Sequence, residues 1–334
     1  MLNKKPANLW LSPYYHKKRD YSQNKTRNVP TKVTNNKKAV NTTVDEWDQI
    51  SLQAIQQQNH NMIIQENSPY QHVQLVEATD LRLYLDEQLQ FSSLDEHIYH
   101  EALVHPAFLF VPHASRVLIV GGGDGLALRE VLKYQQVLHV DLVDLDPIVL
   151  NAAANNPNLV TLNKQSFYDS RANIHCQDAN KFLTGNIPPY DIIIVDFPDP
   201  TNEITSNLYT VEFYTNIHRF LSDDGIIVCQ SNSPEDTPIV YWSIAKTIQS
   251  AGFNVTSYHT IVPSFGDWGF HLASKTQLTR NNSRLQVQTI TLRNNIEKLF
   301  SFPTSINSMK EQAIINSKQS LSLHETFLKE IKDL

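Results

Sequence analysis

Val117-Leu-Ile-Val-Gly-Gly-Gly-Asp-Gly125 is an apolar strand that runs into a turn built of glycine at every position except Asp124. The helical pattern that follows, Leu126, Leu128, Val131 and Leu132, completes the strand, tight turn and helix of a nucleotide-binding βαβ unit. Gly121, Gly123 and Gly125 read G-x-G-x-G, whereas the dinucleotide fingerprint needs its third glycine one position later, where this chain has Leu126. A carboxylate at position 124 repels a pyrophosphate seated at a helix N-terminus and favours a cationic ligand. The turn therefore suits a sulfonium nucleoside better than a dinucleotide.

Working outward, Val137-Leu-His-Val-Asp-Leu-Val-Asp-Leu-Asp146 reads as a second strand. Asp144 in it lies about 20 residues beyond the glycines, where a ribose-binding acid belongs. Farther on, Pro189-Tyr-Asp-Ile-Ile-Ile-Val-Asp-Phe-Pro-Asp-Pro200 is a continuous apolar strand that finishes at Asp196, with Asp199 in a proline-stiffened turn. Carboxyl ends of strands line the ligand crevice of an open α/β sheet, so Asp196 is expected to face the same crevice as Asp124 and Asp144. Asp178 follows another strand end and could accept the amino group of an adenine. Such a gathering of carboxylates holds a cation and keeps one group ready to take a proton from an amine. As caps and turn residues these aspartates would be ordinary one by one; four strand ends finishing in Asp are not.

The chain has 334 residues, 41% of them apolar, enough for one large or two ordinary domains. No run approaches the roughly 18 apolar residues of a membrane helix, and no secretory signal follows the basic N-terminus, so a cytoplasmic location is expected. Cys176 and Cys229 lie far apart and are expected to be buried structural thiols; no zinc spacing occurs. The net charge of −6 divides unevenly: residues 1–44 carry +9 and the remainder −15. The basic segment, rich in Asn, Lys and Thr, reads as a disordered tail. The acidic body attracts small polycations such as amines and disfavours DNA.

Residues 46–113 are expected to form a small antiparallel sheet, from the runs 62–65, 72–76 and 81–85, followed by a helix that begins near Leu94 and stops before Pro106. Strand-like runs then recur at 117–120, 138–143, 160–162, 173–176, 191–195 and 225–230, with helical patterns at 148–155, 178–184 and 209–221. Such alternation predicts, over 114–275, a mostly parallel sheet covered by helices on both faces. A helix near 238–251 and two strands, Asn254–Ile261 and Trp268–Ser274, close this region. Residues 276–334 form a polar extension, helical in its last part, with Ile314, Ile315, Leu321, Leu323, Phe327, Leu328 and Ile331 as its expected apolar face.

From about Ser68 to Lys275 the chain resembles the spermidine synthases, the polyamine aminopropyltransferase family. The resemblance rests on Ser68-Pro-Tyr-Gln71, Leu85-Asp-x-x-Leu-Gln90, Asp95-Glu-x-x-Tyr-His-Glu101, Gly121-Gly-Gly-Asp-Gly125 with Leu128-Arg-Glu130, Asp144-Leu-Asp146, Gln177-Asp178, Asp196-x-x-Asp-Pro200, Leu208-Tyr-Thr-x-Glu-Phe-Tyr214 and the stretch Pro263 to Phe270. It implies an α/β, Rossmann-like fold shared with S-adenosylmethionine methyltransferases, preceded by a small antiparallel β domain. It also implies transfer of the aminopropyl group of decarboxylated S-adenosylmethionine to putrescine, with no metal and no bound cofactor, in a homodimer or homotetramer. By the same resemblance Asp196 is the catalytic base. Gln71, Gln90, Asp124, Asp144, Asp178, Gly121 and Gly123 would hold the donor, and Tyr99, His100, Asp199, Gln230 and Phe265 the acceptor.

Two positions depart from the family. Phe197-Pro198 stands where small polar residues are usual, and Phe265 where many members have a tyrosine near the acceptor amine. A phenyl offers cation–π attraction but accepts no hydrogen bond, so spermidine, cadaverine or agmatine stay open as acceptors. A methyltransferase using intact S-adenosylmethionine is an alternative that Asp124 argues against, lacking a counter-charge for the methionine carboxylate. A non-catalytic paralogue that binds nucleoside or polyamine is another, which the pair Asp196 and Asp199 argues against.

Overall fold

The computed structural model describes residues 46–334 except 186, 279–283, 293–295 and 333. The basic tail expected over 1–45 lies outside the described residues. Helix α1 (Glu46–Gln56) leads into a four-stranded antiparallel meander, β1 (Asn61–Asn67), β2 (His72–Glu77), β3 (Leu81–Leu85) and β4 (Gln88–Ser92). Alternation along β2, β3 and β4 buries both faces. Val73, Leu75, Leu83 and Phe91 pack on the main domain through Leu126, Val149 and Leu159. Val76, Tyr84 and Leu89 pack on Leu52 and Ile55 of α1.

The long helix α2 (Glu96–Phe110) joins this sheet to the main domain. There follow β5 (Arg116–Gly121), α3 (Leu126–Val131), β6 (His139–Asp144), α4 (Pro147–Asn155), α5 (Pro157–Leu162), β7 (Ala172–Cys176), α6 (Ala179–Phe182) and β8 (Tyr190–Asp196). Next come α7 (Glu203–Ser206), α8 (Val211–Phe220), β9 (Leu221–Gln230), α9 (Pro238–Ser250), β10 (Asn254–Val262) and β11 (Gly266–Ser274), then the short α10 (Thr304–Ser308) and α11 (Leu323–Lys332). The seven strands lie in the order β10-β11-β9-β8-β5-β6-β7, parallel from β9 to β7, with β10 and β11 antiparallel at one edge. This is the expected doubly covered, Rossmann-like sheet preceded by a small antiparallel one. In β5 and β8 the apolar residues divide by parity. Val117, Ile119, Ile192 and Ile194 face the layer containing α2, and Leu118, Val120, Ile193 and Val195 face α8 and α9. Strand order reverses between β5 and β8, which opens a crevice at their carboxyl ends. Among the described residues no helix is long and apolar enough to cross a membrane.

The structure corrects four expectations. First, α2 does not stop before Pro106 but runs through it to Phe110. A proline removes the N–H that residue i−4 should receive; here the Ala102 carbonyl instead accepts from Tyr258 Oη at 2.7 Å. Second, residues 160–162 are helix α5, because Asn156 caps Asn158 and Leu159 and Pro157 occupies the first turn, a start signal that outweighs the β-branched Val160 and Thr161. Third, only Leu323, Phe327, Leu328 and Ile331 of the expected C-terminal face pack on the core; Ile314 and Ile315 precede the helix, and Ile315 is exposed. Fourth, Cys229 is buried as expected, but Cys176 is exposed. Strand β4, which no expectation covered, follows a tight turn at Asp86 and Glu87, both at positive φ.

Candidate active site

A cavity of about 1860 Å³ lies in the crevice. It is walled by the small sheet, the first turns of α2, the carboxyl ends of β5, β6, β8 and β9, the β10–β11 loop and, at one end, α11. Ligand sites usually span about 300–1,000 Å³, so this one has room for two substrates.

Its floor is the glycine turn. Gly121 has φ +83°, and a Cβ there would meet the Asp196 carbonyl oxygen at 2.1 Å. Gly123 presses on the Asp144 carboxylate, where a Cβ would stand 2.7 Å from Oδ2, and its N–H donates to that oxygen at 3.0 Å. Glycine is required at these positions because the backbones of β5 and β8 and the side chain of Asp144 crowd them. The loop's Asp124 carboxylate accepts from Leu126 N–H at 2.8 Å.

Three carboxylates thus converge from three strand ends. Burial pushes Asp124 up from 3.8 to about 6, with His100 opposing the rise and Asp196 adding to it. Burial likewise lifts Asp144 to about 6, against the N–H groups of Asp146 and Gly123. Asp196 is also raised by burial, opposed by His100 and by the hydroxyl of Tyr99, which donates to Oδ1 at 2.5 Å. A ligand bearing positive charge would favour the ionised form of all three.

Tyr99 and His100 come from α2. The Tyr99 ring is wedged among Phe265, Trp268 and Phe270, with centroids 5.9, 6.4 and 5.4 Å away, so Phe265 meets the cavity as an apolar wall and a rotamer lock for Tyr99. His100 Nδ1 lies 2.7 Å from the Glu96 carbonyl and 2.9 Å from its carboxylate, both acceptors, so Nδ1 carries a hydrogen. Glu96 in turn receives a two-pronged bond from Arg129 at 2.7 and 2.8 Å. Burial opposes the Glu96 charge, but His100 and Arg129 prevail and hold its carboxyl at about 2. Despite the cost of burial, His100 is raised by Glu96, Asp124 and Asp196. Sequence reasoning had not singled out the Glu96–Arg129 support, although both residues lie in quoted motifs. The signal was an acid four residues before His100 on one helix face.

The remaining expected residues also border the cavity. Gln71 Nε2 donates to Asp146 Oδ2 at 2.8 Å, and Asp146 caps α4. Gln90 Nε2 reaches the Gln88 carbonyl at 3.2 Å. Asp178 lies on the wall and also caps α6 through Asn180 N–H at 2.7 Å. Asp199 also lies on the cavity wall, next to Pro198. Gln230 is committed to the protein: Nε2 donates to the Phe197 carbonyl and to Tyr209 Oη, and Oε1 accepts from Asn232 N–H. Phe197 is buried against Tyr209 and Phe213, so this departure from the family lies largely in the core. Outside the cavity, Glu101, His105 and Glu130 converge in the metal-like manner, but their atoms are taken up. Glu101 accepts from the N–H groups of residues 290–292, and Glu130 pairs with His105, Arg129 and Lys133.

Residues 96–284 match the spermine/spermidine synthase domain. The chain is 53% identical to a polyamine aminopropyltransferase 2 of Bacillus cereus, over 86% of this chain and 80% of that one. It is 52% identical to a namesake from Bacillus anthracis, over 86% and 81%. Among solved structures, spermidine synthase from Thermotoga maritima superposes with a TM-score of 0.68 at 25% identity, covering 75% of this chain and 88% of that one. A spermidine synthase solved with the transition-state analogue AdoDATO does so at 0.67 and 25%, covering 75% and 87%. With its fold, its ordered motifs and more than half its length in agreement, the chain belongs to the spermine/spermidine synthase family of polyamine aminopropyltransferases.

Proposed function

We propose that this enzyme transfers the aminopropyl group of decarboxylated S-adenosylmethionine to putrescine, giving spermidine and methylthioadenosine. The observation that carries this reading is the convergence of Asp124, Asp144 and Asp196 in one cavity, with the Tyr99 hydroxyl fixed on Asp196. Both substrates are cations, and a buried acidic site selects them by charge. Asp144 takes the ribose hydroxyls, Asp178 the adenine amino group, and Gln71 and Gln90 border the donor. Asp124 anchors the donor's ammonium, which fixes the carbon next to sulfur for in-line attack.

An ammonium has no lone pair, so the acceptor must first lose a proton. Asp196 takes it, oriented by Tyr99. The freed amine then attacks the methylene carbon, a C–N bond forms, the C–S bond breaks, and its electron pair returns to sulfur as a neutral thioether. The new secondary amine keeps the proton it carries as an ammonium until release. His100, Asp199 and the aromatic wall of Phe265 and Trp268 enclose the amine and keep water away. Every step uses side chains of this chain, and none calls for a metal.

The test is incubation of purified protein with decarboxylated S-adenosylmethionine and a panel of diamines and longer amines. Methylthioadenosine release is followed and products are identified by mass spectrometry. Spermidine from putrescine, lost in Asp196→Asn, supports the assignment. Methyl transfer from intact S-adenosylmethionine, or ligand binding without product, overturns it.

A further inference from the structure

We propose that Asn316, in the C-terminal extension beyond the matched domain, is a positioning residue that holds the loop 197–209 against the cavity. This loop joins β8 to α8, carries Asp199, and supplies Phe197, Pro198, Asp199, Asn202 and Leu208 to the cavity wall. Its only regular structure is the single turn α7 and a 3₁₀ turn at Asn207–Tyr209. A helix of one turn does not stand without outside support, and the last carbonyls of such turns lack helical partners.

The loop is tied from two sides. On the inside, Tyr209 Oη lies 3.2 and 3.0 Å from the carbonyl oxygens of Phe197 and Pro198, and Gln230 holds Phe197 as well. On the outside is Asn316, fully buried. Its Nδ2 donates to the Ser206 carbonyl at 2.8 Å and to the Tyr209 carbonyl at 2.9 Å, closing the ends of the two turns. Its Oδ1 accepts from Ser322 and Leu323 N–H at 3.1 and 3.2 Å. Its backbone N–H donates to Thr247 Oγ1, and its carbonyl accepts from Val211 N–H. Every hydrogen-bonding position of the residue is occupied, and together they join the loop, α8, α9 and the start of α11. Phe327 and Ile331 of α11 reach the same cavity, so the segment that begins at Asn316 both fastens the loop and extends its wall.

The mechanical claim stands on these contacts alone; its kinetic consequence rests on the reaction proposed above. The donor's proposed contacts come from the small sheet and from the ends of β5, β6 and β7, whereas Asp199 is on this loop. Loosening the loop should therefore weaken use of the amine and spare the donor.

The experiment compares the full-length protein with Asn316→Asp, Asn316→Ala and, as a control that removes a neighbouring tie without touching Nδ2, Thr247→Val. Asn316→Asp keeps the acceptor for Ser322 and Leu323 but sets a carboxylate against two carbonyls. Hydrogen exchange of the unliganded proteins is read by peptide. Residues 199–209 should exchange roughly tenfold faster or more in both Asn316 variants, with residues 116–121 unchanged and Thr247→Val like wild type. In kinetics the KM for the amine should rise by about tenfold while that for the donor stays within about twofold. An unchanged loop in Asn316→Asp, or exchange rising equally over the whole chain, overturns the proposal. So does an equal rise in both KM values. Should wild type transfer no aminopropyl group, the proposed reaction fails, while the exchange result still upholds or refutes the role of Asn316.

Discussion

Replacing Tyr99 by phenylalanine removes one hydroxyl from a ring that stays locked by Phe265, Trp268 and Phe270. That hydroxyl donates to Asp196 Oδ1 at 2.5 Å. Burial raises Asp196, and His100 and this hydrogen bond are the opposing influences. The ionised carboxylate gains more from the bond than the protonated form does, so its loss disfavours ionisation, and the pH below which the base is protonated moves up. A hydrogen bond to a charged group is worth about 1.5–3 kcal/mol, which lowers the ionised fraction, and with it kcat/KM, by a factor of about ten to a hundred on the acid side of the profile. Above that limb the carboxylate is ionised in either protein, and the variant should approach the wild-type rate. The assay is kcat/KM for the amine against pH, from methylthioadenosine release, with Tyr99→Phe beside wild type. A loss of equal size at every pH would place Tyr99 in packing or substrate contact instead. An unmoved profile would remove it from the mechanism.

Glu96→Gln should leave Arg129 buried with only Glu130 and the Leu162 carbonyl, cost about 3–5 kcal/mol of stability in urea unfolding, and lower the proton affinity of His100. An unmoved His100 titration by NMR would refute the support drawn from Glu96. Tyr258→Phe should cost about 1–3 kcal/mol by stranding the Ala102 carbonyl. Most of that loss should return when Pro106→Ala is added, since residue 106 then supplies the missing N–H; additivity of the two changes would refute this account. Gly123→Ala, with a Cβ 2.7 Å from the Asp144 carboxylate, should weaken methylthioadenosine binding by about 1–3 kcal/mol in calorimetry. Wild-type affinity in that variant would show that Asp144 can move without consequence.

What could be read from the sequence was local. The run 117–125 declares a strand, a turn and a helix by adjacency and periodicity, and aspartates that end apolar strands lie in the crevice once the sheet is parallel. What could not be read depends on partners distant along the chain. Nothing near Pro106 announces Tyr258, whose hydroxyl lets the helix continue. Gln230 stood at a strand end like the aspartates, yet its amide turns to Tyr209 and Phe197. At 160–162 the cap Asn156-Pro157 was legible, but β-branched neighbours pulled the expectation toward a strand. Asn316 sits in a polar stretch without periodicity, and the partners of its backbone N–H and its Nδ2 lie in elements about 70 to 110 residues earlier. The strand-end aspartates were visible because their position follows from topology; the tethers were not, because each is a handful of hydrogen bonds between elements far apart in sequence.

The three carboxylates also bear on how long the empty protein lasts. In an unfolded chain Asp124 and Asp144 titrate near 3.8, and in the folded one near 6. The folded form therefore holds their protons more tightly, and that advantage, full below pH 3.8, drains away as the pH rises to about 6. At neutral pH the ligand-free fold carries mutually repelling charges in its interior, and a cationic nucleoside relieves them by binding the native state alone. On the reaction proposed above, the donor would then be a folding ligand as well as a reactant, and adding it should make the protein harder to unfold and less open to proteolysis.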